Sequence, residues 1–183
     1  MATLVDAIEA LSQLSFDGVT GNLNTLRGAH SQSHAGRMFA AFNSGANKGS
    51  GQTVSLWFRT GELACHAVVD WSSSDAASAS IVEAASAAPS TGTPAKAYNN
   101  NRVAGVVSTI QDSAGVVGQA SADATLTGGE TIWKAVAGAG QAPVSREHDG
   151  NEYVLKPNTG YAFVVQSAAN KETLYVLVKW YEI

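Results

Sequence analysis

The clearest pattern along this chain is alternation. From Asn151 to Ile183, two alternating runs flank a Lys156-Pro157-Asn158-Thr159-Gly160 turn and an Ala168-Ala169-Asn170-Lys171 turn. Pro157 presets φ, and Asn158 and Gly160 tolerate the positive φ that tight turns need. After the first turn, Tyr161, Phe163 and Val165 share one face. After the second, Leu174, Val176, Val178 and Trp180 share a face, with Tyr175, Leu177 and Tyr181 on the other. Period-two spacing of β-branched and aromatic residues predicts strands. The last strand is apolar on both faces, so it belongs inside a sheet or against a second surface. A chain that ends on this strand cannot finish folding before its last residues are present.

The same texture extends back to about residue 36. Strands are predicted at Arg37–Phe42, Thr53–Thr60, Leu63–Trp71, Ser80–Ala87, Ala95–Tyr98, Gly105–Ile110, Ala122–Thr127, Thr131–Ala137, Glu152–Leu155, Tyr161–Gln166 and Thr173–Tyr181. Asn43-Ser44-Gly45, Lys48-Gly49-Ser50-Gly51, Thr91-Gly92-Thr93-Pro94, Thr127-Gly128-Gly129 and Asp149-Gly150 read as separators. This spacing predicts a β-sandwich or barrel. Within Ala76–Ala88, Ala and Glu favour helix, but the flanking turn residues and Ile81-Val82 favour strand.

Residues 3 to 14 break the pattern. Leu4, Ile8 and Leu11, with Val5 or Leu14, follow helical spacing, and Thr3 with Asp6 forms a loose capping box. The turn-rich stretch 15–29 follows. The chain therefore divides into an N-terminal helix and arm, 1–29, and a β domain, 30–183. A helix of about 12 residues is marginal in water without a surface to pack on. Leu4, Ile8 and Leu11 either close the chain's own core or dock on a partner.

Composition narrows the class. The chain's 183 residues suffice for one domain with a real core. Charged residues make up only 14%, against roughly 25% in typical domains. Ser, Thr, Asn, Gly and Ala replace them, which lowers the desolvation cost of meeting another protein and points to oligomerisation or assembly. Net charge is −4 and the 11 basic residues are scattered, which argues against a nucleic-acid partner. The one cysteine, Cys65, lies in an apolar run and reads as a small buried hydrophobe. No stretch approaches the roughly 20 apolar residues of a membrane span, and no basic segment precedes an apolar core as in a secretory signal.

Candidate chemistry is sparse. His30 and His34 are four apart, but their context reads as an extended lead-in to a strand, where such a pair is too far apart to chelate one ion. No Gly-x-Ser-x-Gly, carboxylate pair or phosphate-binding loop is present. Asn99-Asn100-Asn101-Arg102 could hold a sugar or an ion, but the simpler reading is a loop whose side chains cap backbone groups. Trp57, Trp71, Trp133 and Trp180 fall within predicted strands and read as core or interface. These residues predict no enzyme, no cofactor and no metal site.

The order of features resembles tailed-bacteriophage virion proteins, namely the small β-sandwich capsid decoration (cement) and head-fibre-like proteins. The resemblance covers about residues 20 to 183. It rests on Thr20, Gly21, Leu23, Thr25 and Leu26, then on His30, His34, Gly36 and Phe39. A strand with His66 follows, then Thr91-Gly92-Thr93 leading to Asn99-Asn100-Asn101-Arg102. It closes on Gly128-Gly129, on Glu152-Tyr153-Val154-Leu155-Lys156-Pro157-Asn158-Thr159-Gly160-Tyr161 and on Trp180-Tyr181-Glu182. The resemblance implies a mainly β, jelly-roll-like sandwich, a homotrimer, and attachment to the major capsid protein on the outer surface of a virion after synthesis in the host cytoplasm. The alternative it leaves open is a tail or fibre module that recognises a host glycan or surface protein.

Overall fold

A computed structural model describes residues 14–16, 23–25, 32–138 and 152–183. Leu14–Phe16 (β1) and Leu23–Thr25 (β2) pair antiparallel. The long strands Met38–Lys48 (β3), Thr53–Arg59 (β4), Cys65–Ser73 (β5) and Ala77–Glu83 (β6) follow. Next come the short strands Ser86–Ala87 (β7), Thr93–Lys96 (β8), Tyr98–Asn99 (β9), Gln119–Ala122 (β10) and Leu126–Thr127 (β11). Glu130–Ala137 (β12), Tyr153–Leu155 (β13), Gly160–Ser167 (β14) and Glu172–Glu182 (β15) complete the order.

The chain is mainly β. One sheet has the order β12-β6-β14-β4-β10-β8, and the other β13-β5-β15-β3-β9. With the inserted short strands set aside, the orders β12-β6-β14-β4 and β13-β5-β15-β3 are compatible with jelly-roll winding. The two sheets stack into a sandwich because each presents one apolar face. Val54, Leu56 and Phe58 of β4, Ile81 of β6, and Tyr161, Phe163 and Val165 of β14 meet Phe39, Trp71, Leu174, Val176, Val178 and Trp180 of the other sheet. Trp180 is 1% exposed, with its ring centroid 5.3 Å from Phe58 across the sandwich and 6.0 Å from Phe39 beside it. Burying such a ring removes 150–250 Å² from water, so it anchors the core. Trp57 and Trp71 are buried and Trp133 packs against the core. Cys65 is buried too, and that burial, with the nearby Glu182 carboxylate, pushes its thiol up to about 12.

Several expectations are corrected. Most of the expected helix at 3–14 lies outside the described residues, but its last residue, Leu14, opens β1. The expected connector 15–29 carries part of a strand pair, with Phe16 opposite Leu23 and Leu14 opposite Thr25. Asn43-Ser44-Gly45 is no separator. β15 pairs with β3 through this stretch, with Tyr175 opposite Ser44 and Leu174 opposite Gly45. Gly45 is needed there for space, because a Cβ would lie 2.9 Å from Val54 Cγ2. Gly105–Ile110 is no strand. Side chains hold it instead: Glu182 accepts from Ser108 Oγ at 2.5 Å and from the Thr109 amide at 3.0 Å, and Trp180 Nε1 donates to Glu182 at 3.1 Å.

His34 ends a single helical turn, Gln32–His34, rather than an extended lead-in. The Arg37 amide donates to Gln32 O and the Gly36 amide to Ser33 O, with Gly36 at φ +71. That pattern is a Schellman stop, which requires a left-handed residue. In the Lys156–Gly160 turn, Asn158 has the positive φ. Gly160 serves a different end, since a Cβ there would lie 2.3 Å from Ala85 O.

Candidate functional site

β15 is the last run of the alternation and the central strand of its sheet, and its two faces have different fates. The inward residues Leu174, Val176, Val178 and Trp180 are buried. The outward residues Tyr175, Leu177, Lys179 and Tyr181 are only half-buried. Neighbouring strands extend this outer face by register. Ala40 and Phe42 of β3 lie across from Lys179 and Leu177, and Val68 of β5 lies across from Lys179. Phe42 is 52% exposed and Val154 of β13 is 63% exposed. Phe42 and Tyr175 rings meet at 6.3 Å. A solvated sheet face normally alternates to polar residues; this one is mixed, with Phe42, Val68, Val154, Tyr175, Leu177 and Tyr181 set among Ser44, His66, Asp70, Ser72 and Lys179.

Its charges are few and largely matched. Lys179 Nζ lies 3.3 Å from Asp70 Oδ2. Burial, then Asp70's charge, raises the Tyr175 hydroxyl above its ordinary range. At the β13 end, Tyr181 OH donates to Glu152 Oε1 at 2.6 Å, and its ring stacks on His66 at 4.7 Å. His66 Nδ1 contacts the same carboxylate oxygen and lies 3.2 Å from Tyr181 OH. Burial and the Glu152 bond push the Tyr181 hydroxyl up to about 12. Its phenol therefore stays protonated and acts as a tie between β13, β5 and β15. No group of three or more His, Cys, Asp or Glu able to hold a metal ion occurs among the described residues.

The outer face of the six-stranded sheet contrasts with this. Trp57, Ala162, Val82 and Val164 form an apolar cluster there with Ala85, Ala87, Ala124 and Leu126. The small β7–β11 sheet lies over it, and Trp57 Nε1 donates to Ala85 O at 2.9 Å.

No family model, no curated protein and no solved structure matches this chain. Its function is therefore argued from its own surface.

The residues singled out in the sequence are not gathered into one site. Leu4, Ile8 and Leu11 lie outside the described residues, as do His30 and His148. The Asn99–Arg102 loop caps backbone as expected. Asn99 Nδ2 donates to Gly36 O at 2.7 Å and to Val106 O at 3.0 Å, and Asn101 Nδ2 donates to His34 O at 3.0 Å. Sequence reasoning missed the His66–Glu152–Tyr181 cluster. Its members are separated by 86 and 29 positions and meet only through strand pairing. The doubly apolar β15 was the signal for the open face, and it was legible.

Proposed function

We propose that this protein is a virion structural protein, a capsid decoration or cement protein that binds the outer phage shell as an oligomer. The observation that carries this reading is the set of large apolar side chains left open on the outer face of the five-stranded sheet, with Phe42 and Val154 more than half exposed. Large apolar side chains left exposed on a sheet face mark protein–protein surfaces. The scarcity of charge and the resemblance to virion β-sandwich proteins support the same reading. The partners it implies are sister copies, three by that resemblance, and the major capsid protein. Binding the assembled shell but not its isolated subunits stabilises the shell by mass action, and many copies multiply weak contacts. The role is structural and needs no catalytic group.

Light scattering behind a sizing column tests it. The expected mass is about three times the 18.8 kDa chain, by closed symmetry. Leu177→Asp, on the open face, is expected to give a folded monomer that no longer sediments with shells stripped of the protein. A wild-type monomer at micromolar concentration that also fails to bind such shells would sink the reading.

A further inference from the structure

β8 and β9 are the last strands of their sheets, and two grooves meet there at Tyr98. One, of about 460 Å³, is lined by Lys96, Tyr98 and Arg102 together with Val106, Val107 and Val117. The second, of about 320 Å³, lies beyond Tyr98 and Lys96, toward Phe42 and Pro94. Tyr98 is 43% exposed. Arg102 Cζ lies 5.7 Å from its ring centroid and Lys96 Nζ 6.0 Å. Neither cation forms an ion pair or side-chain hydrogen bond with another described residue. Two positive charges with no acidic partner among the described residues thus lie beside one ring, in a chain whose net charge is −4. An anion bound in the groove that both of them line would be attracted by each.

The segment that carries them is held in place beforehand. The Asn99 and Asn101 amides are spent on the Gly36, Val106 and His34 carbonyls. Asn101 Oδ1 also accepts from the Val103 and Ala104 amides. Among the described residues this leaves the guanidinium, the ammonium and the Tyr98 hydroxyl for a ligand, in a groove also lined by valines, of which Val107 is 65% exposed.

We propose that this groove binds an acidic saccharide, a carboxylate-bearing sugar of one or two rings. The carboxylate takes the planar fork of Arg102 with Lys96 beside it. The sugar's C–H face packs on the valines, and the phenol meets a ring hydroxyl. The groove's size suits such a ligand. An acidic peptide fits less well. An extended peptide would ladder onto the open edge of β8, but Pro94 there has no N–H to give, and the Ala97 amide is already turned to Gly118 O at 3.0 Å. The proposal does not depend on the assembly reading.

Calorimetric titration of the full chain with trigalacturonate and with sialyllactose tests it, with maltotriose, inorganic phosphate and a glutamate peptide as controls. Saturable binding of at least one acidic sugar is expected. Arg102→Ala and Tyr98→Ala should each weaken it about tenfold or more, with thermal unfolding unchanged. Arg102→Lys should lose less, and added salt should weaken binding. Failure of both acidic sugars to bind overturns the proposal. So does equal binding of maltotriose, phosphate or the peptide, or binding that survives both alanine variants. If Arg102→Ala abolishes self-association or shell binding, the groove is an assembly surface and the proposal falls. Lost sugar binding with assembly intact supports it.

Discussion

The two sheets of this sandwich solve the same problem in different ways. Each carries apolar residues on its outer face as well as its inner one. On the six-stranded sheet the chain supplies its own cover. Residues inserted between β6 and β12 fold β7 and β11 over Trp57, Ala162 and Val164. On the five-stranded sheet Phe42, Tyr175, Leu177 and Val154 stay partly or largely exposed. Apolar area removed from water is worth about 25 cal/mol per Å² whichever chain removes it. The first face therefore contributes to the stability of the monomer, and the second holds its contribution in reserve for association.

The largest effect should come from the core that both faces back onto. Trp180→Ala removes a ring packed on Phe39 and Phe58, and an indole N–H bonded to Glu182. A loss of about 3–5 kcal/mol is expected, much of a typical domain's roughly 5–15 kcal/mol. Deleting Trp180 to Ile183 should abolish soluble expression. Cooperative unfolding of the truncated chain by circular dichroism would show that β15 is peripheral.

The comparison itself is broken by a pair of variants. Trp57→Ala, under the β7–β11 cover, should cost the monomer about 3 kcal/mol or more in urea unfolding. Phe42→Ala, on the open face, should change monomer stability by less than about 1 kcal/mol while weakening self-association. If the two cost the same in unfolding and neither touches association, the distinction between covered and open faces fails. Gly160→Ala sharpens the point. A Cβ 2.3 Å from Ala85 O must push the backbone under the cover, at a cost of about 1–3 kcal/mol.

A smaller effect concerns the inside of the sandwich near β15's start. Glu172 is 1% exposed, and neither carboxyl oxygen has a hydrogen-bond partner among the described residues. A carboxyl group buried without partners carries a desolvation cost that a neutral amide of the same shape lowers. Glu172→Gln is expected to raise the melting temperature, and a fall would mean that the carboxylate is compensated.

The smallest effect is electrostatic. Lys156 Nζ lies 2.5 Å from Glu83 Oε1 and Tyr161 OH donates to Glu83 Oε2 at 2.8 Å. These bonds hold the Glu83 carboxyl below its ordinary 4.5, and the Glu83 bond holds Lys156 above its ordinary 10.5. A depressed carboxyl contributes stability above pH 4.5 that is lost as pH falls through its folded value. A raised amine contributes below pH 10.5 and is lost as pH rises above it. Melting temperature should therefore sag at both ends of the pH range. Glu83→Gln should flatten both arms, and a variant that sags as the wild type does would assign the sag to other groups.

How much was legible follows from the range of each interaction. Alternation is local, so the long strands, the central place of β15, the buried Cys65 and the capping role of Asn99 and Asn101 could be read from residue types and spacing. Even the uncertain Ala76–Ala88 stretch yielded to its flanks, giving β6 and β7. What failed was set by partners far along the chain. Asn43-Ser44-Gly45 looks like a turn but is drawn into β3 because the last strand pairs across it. Gly105–Ile110 looks like a strand but is tied by the Glu182 carboxylate, more than seventy residues away. The sequence alone determined that this is a mainly β chain with one strand apolar on both sides, because side-chain period depends only on neighbours. Only the tertiary structure decided which outer face is covered, and that His66, Glu152 and Tyr181, or Lys96, Tyr98 and Arg102, come together. Strand register and sheet order bring such residues within bonding distance, and those are properties of the whole chain.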